Sequence, residues 1–143
     1  MEANISIKYH ILLVEDDEAV IRAILRGLRR RTDIRVHVAR DSTDARALYH
    51  ARRDPQTRAS LFCLIALDHD LKDSPESTTI PFLTEVLRPK SGDAYTGHIV
   101  TMASHLDDRI QMMQSGCDAE ISLKSHLVGY VLGFLDRPCG EKG

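Results

Sequence analysis

Residues 63–71 read CLIALDHDL, and the fold is decided there. Five apolar residues, Cys63 to Leu67, have the length of a strand, and Asp68, His69 and Asp70 follow directly. An uninterrupted apolar run of this length fits a strand buried on both faces, which is typical of a parallel sheet. The same form recurs along the chain. Ile11 to Val14 is followed by Glu15, Asp16, Asp17 and Glu18. Val36 to Ala39 is a second strand, and Ile99 to Met102 leads into Ala103, Ser104 and His105. Ile121 to Leu123 precedes Lys124.

Helical periodicity fills the gaps. Ile21, Ile24, Leu25 and Leu28 fall at i, i+3, i+4 and i+7. Ala45, Leu48 and Tyr49 repeat part of that pattern, and Leu106, Ile110 and Met113 form a fourth stripe. Val128, Val131, Leu132 and Leu135 form the fifth. Thr79 to Leu87, with Pro81 in its first turn, reads as the third helix. Asp41 and Ser42 are N-cap candidates, and Gly116 is a C′ residue. Strands alternating with helices give (βα)5: one doubly wound domain spanning residues 1–143, with its core at about 9–136 and a five-stranded parallel sheet. The flavodoxin-like order 2-1-3-4-5 is expected. Ala51 to Ser60, Lys72 to Thr78 (containing Asp73, Ser74 and Pro75) and Pro89 to Gly97 read as surface loops.

Composition limits the function classes. The chain has 143 residues, 43% hydrophobic and 28% charged, which fits a globular domain and excludes a disordered one. A formal net charge of −2 and the absence of Trp argue against nucleic-acid binding by charge or stacking. The three cysteines, Cys63, Cys117 and Cys139, have no metal-ligand spacing and read as reduced thiols, Cys63 as a small core residue. No signal pattern is present and no apolar run approaches the ~20 residues of a membrane span. A cytoplasmic protein is expected.

In an open parallel sheet, ligands bind beyond the carboxyl ends of the strands. Glu15, Asp16, Asp68, Asp70 and Lys124 all belong at that edge, with Thr101, Ala103 and Ser104 after the fourth strand. Clustered carboxylates call for a cation, and all-oxygen ligation suits Mg²⁺. A carboxylate beside such an ion can attack phosphorus to give an acyl phosphate, while a lysine balances charge on the phosphoryl oxygens.

Four segments carry a resemblance. ILLVEDDEAV (11–20), CLIALDHDL (63–71), HIVTMASH (98–105) and DDRIQMMQSGCDAEISLKS (107–125) together resemble the receiver domains of two-component response regulators. The resemblance implies that Asp68 is the phosphoacceptor. It also implies that Glu15, Asp16, Asp68 and the backbone carbonyl of Asp70 hold Mg²⁺ or Mn²⁺, and that Lys124 contacts the phosphoryl group. The partners it implies are a sensor histidine kinase or phosphotransfer protein as donor and a downstream protein as target. Neither direct nucleic-acid contact nor membrane contact is expected. The chain stops soon after the fifth helix, so a stand-alone, non-enzymatic switch is expected, with output through the fourth helix, fifth strand and fifth helix.

The chain departs from the family pattern at several positions. Ala103 stands where the switch hydroxyl belongs, with Ser104 and Thr101 as substitutes in another register. Lys124 lies eight residues after Gly116 (124 − 116), one more than usual, so a bulge or a shifted strand is needed. Ser125 and Lys72 replace common prolines, and the usual Asp-Gly turn is missing. Two other readings stay open: a pseudo-receiver serving as a binding module, and a receiver-like metal-dependent phosphoesterase built on the dense DHD segment.

Among the remaining candidates, Asp17 and Glu18 read as helix N-terminal acids. His69 reads as exposed or as lying behind the site, since neighbours in extended chain point opposite ways. His98 and His105 read as surface residues. Arg22, Arg26, Arg29, Arg30 and Arg31 read as a solvated face.

Overall fold

The structure is a computed structural model that describes residues 6–72 and 76–137. Asp73, Ser74, Pro75 and Cys139, named above, lie outside the described residues. The strands are β1 (Tyr9–Val14), β2 (Ile34–Ala39), β3 (Phe62–Leu67), β4 (His98–Thr101) and β5 (Ala119–Glu120). They form one sheet in the order 2-1-3-4-5, with every pairing parallel. The α-helices are α1 (Glu18–Leu28), α2 (Ser42–Ala51), α3 (Leu106–Gln114) and α4 (Leu127–Leu135). The crossover from β3 to β4 carries a π-helix, Phe82–Leu87, where an ordinary α-helix was expected.

Side chains alternate across the strands as the pleat demands. Leu12, Val14, Ile65, Leu67 and Ile99 face one cluster, shared with Tyr49, Phe82, Leu83 and Met112. Ile11, Leu13, Leu64, Ala66 and Val100 face the other, shared with Ile21, Ile24, Leu28 and Val131. Both faces of the sheet are therefore covered, and the continuous apolar runs are explained.

Local signals fix the helix ends. Asp17 caps α1 by accepting from the Ala19 and Val20 amides at 2.9 and 3.2 Å, and Asp41 caps α2 through the Asp44 amide at 2.8 Å. Gly116, at φ 127°, ends α3 in the left-handed region that favours glycine. At Gly27 a Cβ would lie 2.7 Å from Val128 Cγ2, so its absence lets α1 approach α4.

Three expectations are corrected. The last strand is Ala119–Glu120, upstream of Ile121 to Leu123, and Leu123 is 55% exposed. Only part of the α3 stripe faces the core: Leu106 and Ile110 are 59% and 45% exposed, Met113 packs partly buried against the core, and Met112 beside it is fully buried. Cys63 is half-buried, its thiol donating to the His10 carbonyl at 3.4 Å. Cys117 is buried, which pushes its thiol up to about 12. No helix among the described residues is long and apolar enough to cross a membrane.

Candidate functional site

The hydrogen-bond ladder runs one residue past the strands, and that extension builds the site. The Glu15 amide donates to the Ala39 carbonyl at 3.0 Å and the Asp68 amide to the Val14 carbonyl at 3.0 Å. The Met102 amide donates to the Leu67 carbonyl at 2.9 Å, and the Ile121 amide to the Thr101 carbonyl at 3.0 Å. Parallel strands in this register bring the first residues after β1, β3 and β4 to one edge. There Glu15, Asp16, Asp68, His69, Asp70, Ser104, Asp108 and Lys124 line a cleft of about 520 Å³.

Lys124 closes the site from the far strand. Its ammonium stands 3.0 Å from Asp68 Oδ2 and 2.9 Å from Glu15 Oε2. After β5 the ladder ends at Ile121, Ser122 and Leu123 leave it, and Lys124 opens a short 3₁₀ turn, Lys124–His126. The β4–β5 pairing is regular, and the turn that follows brings the lysine to Asp68. Burial would lower the pKa of the ammonium, but its contacts with Glu15 and Asp68 outweigh burial and raise it.

The acids are held in different ways. Glu15 is fully buried, with Oε1 accepting from the Asp16 and Asp17 amides at 3.2 Å each. Its Oε2 makes an ion pair with Lys124 without the alignment of a hydrogen bond. Burial pushes the carboxyl of Glu15 up to about 7, against the pull of the Lys124 ammonium and with the push of Asp68. Asp16 is half-buried, and its Oδ2 accepts from the Lys72 amide at 2.6 Å. Asp68 Oδ1 accepts from the His69 amide at 2.9 Å.

Carboxylate oxygens of Glu15, Asp16 and Asp68 lie within 4.8 Å of one another. Three close carboxylates, two of them sharing the Lys124 ammonium, with one buried oxygen lacking a hydrogen bond, form a donor set that suits a divalent cation. The side chain of Asp70 does not join them; it turns away to His69.

Of the two places expected for His69, exposed or behind the site, the structure shows the second. His69 is only 7% exposed, and both of its ring nitrogens are bound. Nδ1 lies 2.8 Å from Asp70 Oδ1 and 3.6 Å from Asp108 Oδ2, and Nε2 lies 3.0 Å from Gln111 Oε1. Burial opposes protonation of this ring, but Asp70, Gln111 and Asp108 outweigh it and raise its pKa. Asp68 and His69 point apart as expected, whereas His69 and Asp70 meet because the chain turns after β3. His98 is likewise not a surface residue: its Nε2 lies 2.5 Å from the Tyr130 hydroxyl and its ring stacks on Phe134. His105 is exposed.

At the end of β4 the three switch candidates separate. Ala103 is fully buried. Thr101 is also fully buried, and its hydroxyl oxygen accepts from the Ala103 amide at 3.3 Å. Ser104 is exposed at the cleft. Thr79, which drew no attention in the sequence, is fully buried behind Asp68 and donates its hydroxyl to the Asp68 carbonyl at 2.5 Å. A polar residue at the start of a helix beside the acidic loop was the available signal.

Solved structures place this geometry among known proteins. The Mn²⁺-bound form of response regulator Rcp1 matches with a TM-score of 0.70 and 22% identity, covering 91% of this chain and 96% of that one. The phosphorylated cyanobacterial phytochrome response regulator RcpA matches with a TM-score of 0.65 and 26% identity over 87% and 89% of the two chains. A CheY-like receiver domain protein of Methanospirillum hungatei matches at 0.64 and 19% identity over 90% and 94%. No family model matches the sequence, and no curated relative matches it. The chain has the fold of response-regulator receiver domains.

Proposed function

We propose that the chain is a phosphoryl-accepting switch of the receiver type, with Asp68 as the acceptor. One observation carries this reading: Lys124, from the far edge of the sheet, meets Asp68 at 3.0 Å in a cleft that also holds Glu15 and Asp16. Glu15, Asp16 and Asp68 would hold Mg²⁺ or Mn²⁺, together with the backbone carbonyl of Asp70. Such an ion supplies charge neutralisation to the phosphoryl oxygens.

The residues of the chain do the rest. A carboxylate oxygen of Asp68 forms the new P–O bond as the bond from phosphorus to the donor breaks, and the leaving group keeps the electron pair. Lys124 offsets the charge on the transferring group. The His69 amide and the Thr79 hydroxyl orient Asp68 from behind. The donor is a phosphohistidine on a sensor histidine kinase or phosphotransfer protein, and the signal leaves by contact with a downstream protein.

The two other readings fare less well. A pseudo-receiver has no use for a lysine that meets Asp68 inside the acidic cleft. A phosphoesterase using His69 as a ligand or base would need a free ring nitrogen, and Asp70 and Gln111 occupy both.

Incubation with Mg²⁺ and a small acyl-phosphate donor tests the proposal. The intact mass is expected to rise by one phosphoryl group, and Asp68→Asn is expected to show no rise. Absence of any rise in the parent, or an equal rise in the variant, would sink it. Turnover of phosphodiesters with Mg²⁺ or Mn²⁺ would favour the phosphoesterase.

A further inference from the structure

At the end of β4, Ala103 has no hydroxyl, the buried Thr101 hydroxyl accepts from the Ala103 amide, and Ser104 is exposed at the cleft, so no hydrogen bond joins any of the three to Asp68. A different connection leaves the acceptor. The backbone of His69 donates to Asp68 Oδ1, and its buried ring reaches Asp108 and Gln111, both on α3.

The helix at the far end of this connection is weakly held. No side chain caps α3, Met112 is its one fully buried residue, and Leu106 and Ile110 stand in solvent. Its other polar ties come from Arg109, which donates to the Ala103 and Ser104 carbonyls at 3.0 and 3.1 Å. An element with so little buried apolar contact opens at low free energy, so one buried polar link weighs heavily in its position. Asp70 and Asp108 also line the cleft that would receive the phosphoryl group. New negative charge there repels both carboxylates, and the acyl phosphate is a poorer acceptor for the His69 amide than the free carboxylate. Both effects strain the same link.

We infer that His69 is a positioning residue that couples the phosphorylation state of Asp68 to α3 through Asp108 and Gln111, in place of a switch hydroxyl. This inference rests on the phosphoacceptor reading above. It gives α3 a defined response: the helix loosens when Asp68 is phosphorylated.

Hydrogen exchange of peptides covering residues 106–114 tests it, measured before and after acyl-phosphate treatment with Mg²⁺, with intact mass recorded on the same samples. In the parent, exchange is expected to rise roughly fivefold on phosphorylation. Gln111 is exposed and makes the shorter of the two contacts to α3, so Gln111→Leu, paired with Asp108→Ala, severs the link with little threat to folding. That double variant is expected to gain the phosphoryl mass, to exchange fast from the start, and to show no further rise. Gln111→Glu alone keeps an oxygen acceptor and is expected to preserve the response. His69→Ala, compared within its phosphorylated fraction, is expected to resemble the double variant. Full mass gain in the parent with unchanged α3 exchange would overturn the coupling alone. So would an intact response in the double variant and His69→Ala. No mass gain in the parent would overturn the phosphoacceptor reading and the coupling with it.

Discussion

The floor of the acidic cleft and its α3 wall are built on different terms. The floor is made of residues directly beyond paired strands, so the backbone ladder fixes Glu15 and Asp68 before any side chain contributes. The wall has no such ladder. It is a short helix with exposed Leu106 and Ile110, tied to the floor by His69 and to the β4 end by Arg109. Rigid floor and loose wall suit an acceptor that must be preorganised and a reporter that must move.

Removing Lys124 tests the floor most severely. Lys124→Ala takes away the one cation facing Glu15 and Asp68, and acyl-phosphate labelling is expected to slow about 100-fold, the scale of losing one positioned charge-stabilising group. Rates from the time course of intact mass give the answer. A rate within threefold of the parent would show that the lysine is a bystander (about 0.6 kcal/mol by the usual rate relation).

Thr79 tests how far the floor extends. Thr79→Val is nearly isosteric but leaves the buried Asp68 carbonyl without its hydroxyl donor. Stability is expected to fall by about 1–3 kcal/mol, the range for a buried group that loses its partner, read by urea unfolding. An unchanged midpoint would mean that the loop after β3 holds Asp68 without help.

The pH dependence of metal binding follows from Glu15. Its carboxyl is pushed up to about 7, so a proton must leave before the ion is bound. Mg²⁺ affinity is expected to rise about tenfold per pH unit below that point and to level off above it, as read by titration calorimetry. The metal-free protein behaves in the opposite sense. The folded-state pKa of Glu15 lies above its ordinary value of 4.5, so the folded state retains a proton that the unfolded chain gives up. Stability from this group therefore declines as pH rises from 4.5 through about 7, and Glu15→Gln is expected to remove that decline. A flat affinity profile would place Glu15 outside the metal site.

The smallest expected effect on labelling comes from the wall. Ala103→Ser returns a hydroxyl to the end of β4, at a fully buried position. Stability is expected to fall by about 1–3 kcal/mol if the new hydroxyl finds no partner, with unchanged mass gain and a larger α3 exchange response to phosphorylation. If labelling itself changed, the division between floor and wall would be wrong.

This division also decided what the sequence could disclose. Central strands such as Leu64 to Leu67 are buried on both faces and read as unbroken apolar runs, so their order and the acids following them were legible. The edge was not. β5 has a single partner strand, and its pairing falls on Ala119 and Glu120, poor strand formers, while the ladder ends at Ile121 and the apolar Leu123 lies beyond it. The spacing of Leu106, Ile110 and Met113 looked like a core stripe, but the short α3 turns Met112 and part of Met113 to the core and leaves the other two in solvent. The burial of His69 depends on a turn after β3 and on α3 packing above it, and neither leaves a local trace.

Borohydride reduction after acyl-phosphate treatment tests the central claim most directly, since it converts an aspartyl phosphate to homoserine at the acylated position. Peptide mapping is expected to find that conversion at Asp68 and nowhere else, dependent on Mg²⁺ or Mn²⁺. Conversion at Glu15, Asp16 or Asp70, or none at any position, would contradict it.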